Sequence, residues 1–347
     1  MPTVLTVERS LIAYLEALGA HRAAAQMDPQ LPGRWTVAGY VLDVDRDELV
    51  AHLMESWVPS PIVSPWNGGS GFYAGDNTRG IDWIRESASR RLQPYRDTIA
   101  AAEQVLRRLN ITAKPAKEDK PRIVAALRAA VPDEAVPWLD AAVPHGSQPG
   151  FRFNALLGTG GNNGRWEMSN NVMRALSMVF GGPGDRSRAW LADALFGEPA
   201  ELADLSYGHL GDTDLGGNPW TLLLAAEGAL LFASSAPRRL DTTRRPVGPF
   251  VADHTRAGYS SAAPAEEVLA EFWAPYWEGW ATVGELAQVF AAGQVTVISG
   301  TRPRVARTGY DHMRAAADRG WPPGIVAADR WIIARRHGQA YTAVLAR

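Results

Sequence analysis

Cysteine is absent from all 347 residues. That excludes disulfide frameworks, zinc ribbons, iron-sulfur clusters and thiol catalysis together, and makes a reducing cytoplasm the expected compartment. Long apolar runs are missing too. The most apolar stretch, Asn218 to Ser235, is short for a membrane span and contains Glu227 and Gly228, so no membrane partner is expected. Met1 to Arg22 carries Glu8, Arg9 and Glu16 and lacks the basic start and unbroken apolar segment of a signal peptide, so export is not expected. Catalytic signatures are also lacking: there is no Gly-x-Ser-x-Gly elbow, no His-Glu-x-x-His pair and no Gly-Lys-Ser/Thr. The seven histidines are scattered. His209 with Asp212 and Asp214 comes nearest to a metal cluster but lacks the glutamate and spacing of a calcium loop, so a polar turn is the simpler reading. No catalytic residue, metal or cofactor is assigned.

Net charge is small, −2, but it is segregated. Arg85 to Arg128 holds eleven bases against five acids, and Thr301 to Arg347 nine against three, so each segment is net +6. Asp193 to Glu227 holds seven acids and no Lys or Arg, and Glu266 to Glu285 five acids and none. Such blocks give basic surfaces able to follow phosphates and acidic ones able to meet a basic partner, unless folding mixes them on one face.

Apolar periodicity predicts an opening helix through Leu11, Tyr14, Leu15 and Leu18, a strand around Trp35 to Val44, and a helix over Asp47 to Trp57. Prolines and glycines make Val58 to Asn77 a loop. Helical patterns return over Arg79 to Leu109 and Lys120 to Val143, joined by the polar link Lys114 to Lys120. Ser169 and Asn170 are candidate N-caps for the helix of Val172 to Phe180. Asn218 and Pro219 open a helix, apolar nearly all round, that should be the buried centre. Thr282 and Glu285 form a capping box for another. Trp331 to Ala334 and Ala340 to Leu345 read as a hairpin after a helix over Tyr310 to Arg319, a winged-helix-like end. The expected fold is α+β, mainly helical with small β-sheets, in two lobes, 1–146 and 147–347.

Two glycine-rich motifs carry the interesting chemistry. Gly158-Thr-Gly-Gly-Asn-Asn-Gly164 invites a dinucleotide reading, but Asn163 stands where the third glycine belongs and a second strand with its ribose-binding acid is missing. What remains are the backbone amides of Gly160 and Gly161, the carboxamides of Asn162, Asn163, Asn170 and Asn171, and the forked donor of Arg165, a set suited to phosphates and base edges. Trp66-Asn-Gly-Gly-Ser-Gly-Phe72 has a similar vocabulary, with Asn67 placed to read a groove edge and Ser70 a phosphate. Taken alone, a packing turn with Trp66 and Phe72 buried is favoured there. Glu227 on its apolar helix fits a raised-pKa acid or, more commonly, the partner of an arginine.

Trp66-Asn-Gly-Gly-Ser-Gly-Phe-Tyr73, Leu156-Leu-Gly-Thr-Gly-Gly-Asn-Asn-Gly-Arg165 followed by Ser169-Asn-Asn171, and Asn218-Pro-Trp-Thr-Leu-Leu-Leu-Ala-Ala-Glu-Gly-Ala-Leu-Leu-Phe232 occur in that order. Tyr14-Leu-Glu-Ala-Leu-Gly19, Gly258-Tyr-Ser-Ser261, Glu271-Phe-Trp273 and Arg319-Gly-Trp-Pro-Pro-Gly-Ile325 accompany them. With these motifs the chain resembles, over almost its whole length, the large-subunit family of type I-G (formerly I-U) CRISPR effector complexes. The resemblance implies a noncatalytic antiviral subunit near the crRNA 5′ handle that reads the protospacer-adjacent motif in duplex DNA and helps start the R-loop. Implied partners are crRNA, target double-stranded DNA, the backbone and handle-binding subunits, and a recruited helicase-nuclease. Guide pairing then supplies most of the sequence information, and the protein needs a short motif reader and basic grooves. On that view Asn67, Gly68, Gly69 and Ser70 read, the second motif assists, and Lys117, Lys120, Arg302, Arg304, Arg335 and Arg336 meet the backbone. Two other readings stay open: an enzyme holding a phosphorylated ligand at Gly158 to Arg165, with Glu227 or His209 as acid or base, and a scaffold without nucleic-acid contact.

Overall fold

The computed structural model describes residues 1–143, 168–203, 217–232, 251–253, 266–292, 296–298, 304–307, 324–336 and 342–345. Its fold is α+β, mainly helical with small antiparallel sheets. The first half comprises β1 (Thr3–Leu5), α1 (Leu11–Ala24), β2 (Pro32–Thr36), β3 (Gly39–Leu42), α2 (Arg46–Glu55), α3 (Arg79–Glu86), α4 (Gln93–Arg108), α5 (Asp119–Arg128) and α6 (Val136–Ala142). Then come α7 (Met168–Gly181), α8 (Gly184–Phe196), α9 (Pro219–Ala229), β4 (Val251–Asp253), β5 (Glu266–Trp277), β6 (Ala281–Thr282) and α10 (Val283–Ala292). The chain closes with β7 (Thr296–Ile298), β8 (Arg304–Arg307), β9 (Ile325–Arg336) and β10 (Thr342–Leu345).

Local chemistry sets the boundaries. The Ser10 hydroxyl accepts from the Ala13 amide and Asn218 Oδ1 from the Trp220 amide, capping α1 and α9. Pro219 occupies the first helical position, where its missing N–H costs nothing. Thr282 and Glu285 bond reciprocally at the start of α10, the anticipated capping box. Gly197 ends α8 in the left-handed region at φ 66°.

The anticipated central helix is buried along its length, and its contact with α1 is unusually close. A Cβ on Gly19 would lie 1.7 Å from the Leu224 carbonyl oxygen, and one on Gly228 1.9 Å from that of Leu15. Each glycine thus lets the other helix's backbone into the space a side chain would take. The expected boundary at 146 is not where the core divides: α1 and α9 lie on opposite sides of it, and buried residues from 5 to 331 form one cluster. β6 joins the sheet ordered β1-β3-β2-β6, Thr282 opposite Pro32, so a late segment completes an early sheet. Tyr14 stacks on Trp35 at 5.2 Å and donates to the Pro275 carbonyl, while Trp277 Nε1 donates to that of Gly33. Arg9 pairs with Asp329 at 2.8 Å, tying the first residues to β9.

Several expectations need correction. The strand at Trp35 to Val44 is the hairpin β2–β3, turning where Gly39 adopts φ 135°. The helix over Arg79 to Leu109 breaks at Ser87 to Ser89, where Arg96 donates to the carbonyls of Ser87 and Ser89, and Pro132 interrupts the next one before α6. The C-terminal hairpin exists as β9–β10, but β9 continues along β5 in the sheet ordered β10-β9-β5-β4. The helix expected over Tyr310 to Arg319 lies outside the described residues. Among those residues no helix is long and apolar enough to cross a membrane.

His21 sits beside the crossing, fully buried. A carbonyl only accepts, so Nε2 carries the proton donated to Leu31 O at 2.9 Å, and Nδ1 accepts from the Tyr40 hydroxyl at 2.7 Å. Burial lowers its pKa to about 4, against the smaller opposing effect of the Leu31 bond. Below about pH 6.5 the unfolded chain takes up the proton first, so His21 removes stability as pH falls, by up to about 1.4 kcal/mol per unit. Glu16, raised well above the carboxylate range chiefly by burial, acts in the opposite sense. Wild type minus His21→Asn should therefore lose stability between pH 7 and pH 5 by about 2 kcal/mol in urea titrations; a pH-independent difference contradicts a buried neutral imidazole. Gly19→Ala or Gly228→Ala should cost about 3 kcal/mol or more, since backbone would have to move. Gly184→Ala, which meets open space, should stay within about 0.5 kcal/mol in the same assay.

Candidate nucleic-acid interface

The segment from Val58 to Thr78 has no regular secondary structure and is stitched to its surroundings instead. At its start Arg91 donates to the carbonyls of Leu53, Met54 and Trp57, and Gln26 makes two bonds to Val58. Desolvation lowers the Arg91 pKa to about 10, which leaves it cationic at neutral pH. Glu227 of α9 then accepts from the Ser60 amide at 2.5 Å and the Ser60 hydroxyl at 2.9 Å, with Arg22 at 3.5 Å. These contacts realise the arginine-partner alternative for Glu227 and give the carboxylate a tethering role. The Val63 carbonyl accepts from Trp138 Nε1, and Trp66 stacks on that ring at 6.2 Å.

The glycine turn follows. Asp76 accepts from the amides of Gly69, Gly71 and Tyr73 at 2.8, 3.0 and 3.3 Å. Gly69 and Gly71 hold φ 86° and 91°, a region side-chain-bearing residues seldom adopt, and so can turn their amides toward one carboxylate. Tyr73 donates its hydroxyl to the Pro65 carbonyl, and Ser70 its own to Asn67 O at 2.6 Å. The turn has therefore bound an anion already, and that anion is its own.

This corrects the expected reading role. Asn67 is 2% exposed and Ser70 0%; both side chains are engaged inside the protein, Asn67 Oδ1 accepting from Lys120 Nζ at 3.2 Å. Gly68 and Gly69 are half-buried. Asn170 and Asn171, expected at a loop end, are buried in the first turn of α7, where the Asn170 Oδ1 has no hydrogen-bond partner among the described residues. Neighbouring Ser169 accepts from the Ser64 amide at 3.2 Å, bringing the residues that follow the second glycine motif against the first. Gly160, Gly161, Asn162, Asn163, Arg165, Arg302, His209, Asp212 and Asp214 lie outside the described residues. Arg304 is on β8, while Arg335 and Arg336 on β9 stand opposite Glu267 and Glu266 of β5. Register thus pairs part of the basic C-terminal block with part of an acidic one. Lys117 is exposed.

Two contributors were missed. Asp76 organises the turn, and its only sequence signal was a carboxylate shortly after three glycines. Lys114 lies across Gly68: a Cβ there would come within 2.7 Å of Lys114 Cδ. No protein-family model and no curated protein matches this chain.

Asp76→Ala should cost about 2 kcal/mol in denaturant titration through loss of charge-assisted bonds. Hydrogen exchange should quicken at Gly69, Gly71 and Tyr73. Unchanged protection there would show that the carboxylate does not hold the turn.

Proposed function

We propose that the chain is a noncatalytic, nucleic-acid-binding large subunit of a crRNA-guided CRISPR surveillance complex of type I-G. In this reading it works in the cytoplasm without a cofactor, beside the crRNA 5′ handle, the backbone subunits and target double-stranded DNA. Contact near the protospacer-adjacent motif helps open the duplex for a helicase-nuclease. One observation supports the reading beyond the resemblance: the segment leading into the first motif is tied to residues of the other two stretches. Ser64, just ahead of the first motif, bonds Ser169, which follows the second, and Ser60 bonds Glu227 within the third. Stretches 105 and 167 residues away in sequence thus support one loop region bordered by lysines, as a shared binding surface requires.

In the enzyme reading, Glu227, one of its two candidate acid or base groups, is instead used to hold Ser60 and lies 3.5 Å from Arg22. The buried state of Asn67 and Ser70 moves the expected contact from base reading at the first motif toward phosphate contact at its rim. The test is reconstitution. Complex assembled with crRNA and this chain should bind a matched duplex at least about tenfold more tightly than complex lacking the chain, about 1.4 kcal/mol. Equal binding with and without it, in filter-binding titrations at fixed salt, contradicts the proposal.

A further inference from the structure

The basic block from Arg85 to Arg128 is largely occupied within the fold. Arg85 pairs with Asp82 and Glu103, Arg107 with Glu103, Arg122 with Asp119, and Arg128 with Asp140. Arg91 and Arg96 are used on backbone carbonyls, and Lys120 bonds Asn67. The side chains of Arg90, Arg108, Lys114 and Lys117 are exposed and make no hydrogen bond or ion pair to a described residue. Arg90 lies just before α4, whereas Arg108 ends it and leads into the link carrying Lys114 and Lys117. A helix of 16 residues separates these ends by about 24 Å. Of these four cations, Lys114 lies against the glycine turn and Lys117 follows it on the same link.

The turn also leaves space for one of these lysines. Lys114 runs its aliphatic stem over Gly68, in space that any side chain at 68 would occupy. Asn67 holds Lys120 from beneath. The acids nearby are largely committed: Asp76 to three amides, and Asp119 to Arg122 and the Ala116 amide. Glu118 remains exposed next to Lys117.

We propose that Lys114 and Lys117 form a sequence-independent clip for the phosphates of a nucleic-acid strand, with Gly68 as a positioning residue that sets the Lys114 stem rather than touching the ligand. This rests on the nucleic-acid reading above and assigns a backbone-holding task to the first glycine motif. Lysine suits it, being a mobile point charge that follows a phosphate without demanding a fixed fork.

The experiment measures the full chain by fluorescence anisotropy, using a duplex DNA and a single-stranded RNA of unrelated sequence, from about 50 to 200 mM salt. Lys114→Gln with Lys117→Gln should flatten the log-affinity against log-salt slope by about 1.8 on the duplex and about 1.4 on the single strand. Gly68→Ala keeps every charge and an allowed backbone, yet should displace the Lys114 stem and flatten the slope by about 0.9 on the duplex. In a Lys114→Gln background Gly68→Ala should add nothing, a coupling that general loss of stability would not produce. Thermal unfolding run alongside should be unchanged for all of these variants. Wild-type binding with slopes unmoved by the double substitution overturns the clip and leaves the nucleic-acid reading standing. Absence of wild-type binding to either probe at the lowest salt overturns both.

Discussion

The close crossing of α1 and α9 is the constraint on which the rest of the structure depends. Gly19 and Gly228 admit each other's backbone, and with the helices so near there is no room for a side chain to mediate between them. The neighbour of Gly228 is Glu227, whose carboxylate therefore emerges at a fixed place and takes the Ser60 amide and hydroxyl. Anchoring the strap from Val58 to Thr78 is thus a consequence of helix packing. The strap needs that help, since without regular secondary structure its polar backbone must find partners one by one. Arg91, Gln26, Trp138, Ser169 and Asp76 supply them, each from a different part of the chain.

Charge follows a similar logic. Blocks of one sign along the sequence become mixed once α3, α4, α5 and α6 are packed, because arginines find nearby acids or backbone carbonyls. What is left is determined by geometry: residues on a short link, projecting past a glycine turn that offers no side chain to obstruct them. A surface selected in this way is small, and suits the proposed role of holding a strand without reading its sequence.

Much of the helical framework was legible because its signals are local. Asn218 with Pro219, and Thr282 with Glu285, announce helix starts through bonds made within three residues. The uniformly apolar face of α9 announced its burial. Long-range features left weaker marks. β5 carries Glu266, Glu267 and Glu271 and read as an acidic block, since its pairing with β9 is set by residues some sixty positions away. The β2–β3 turn was lost in one apolar run. Asn67 and Ser70 were chemically well chosen for recognition, but the same groups satisfy a buried turn equally well, and only the position of Asp76 and Lys120 decides between those uses.

The central claim is that the rim of the first glycine turn faces a nucleic-acid strand while its carboxamide and hydroxyl face inward. Ala116 is exposed between Lys114 and Lys117, so a photo-crosslinking side chain introduced there leaves both lysines in place. In crRNA-loaded complex bound to target DNA, irradiation should join that position to RNA or DNA, identified by nuclease-resistant adducts in mass spectrometry. Crosslinks found only to neighbouring protein, with none to either nucleic acid, would contradict the account.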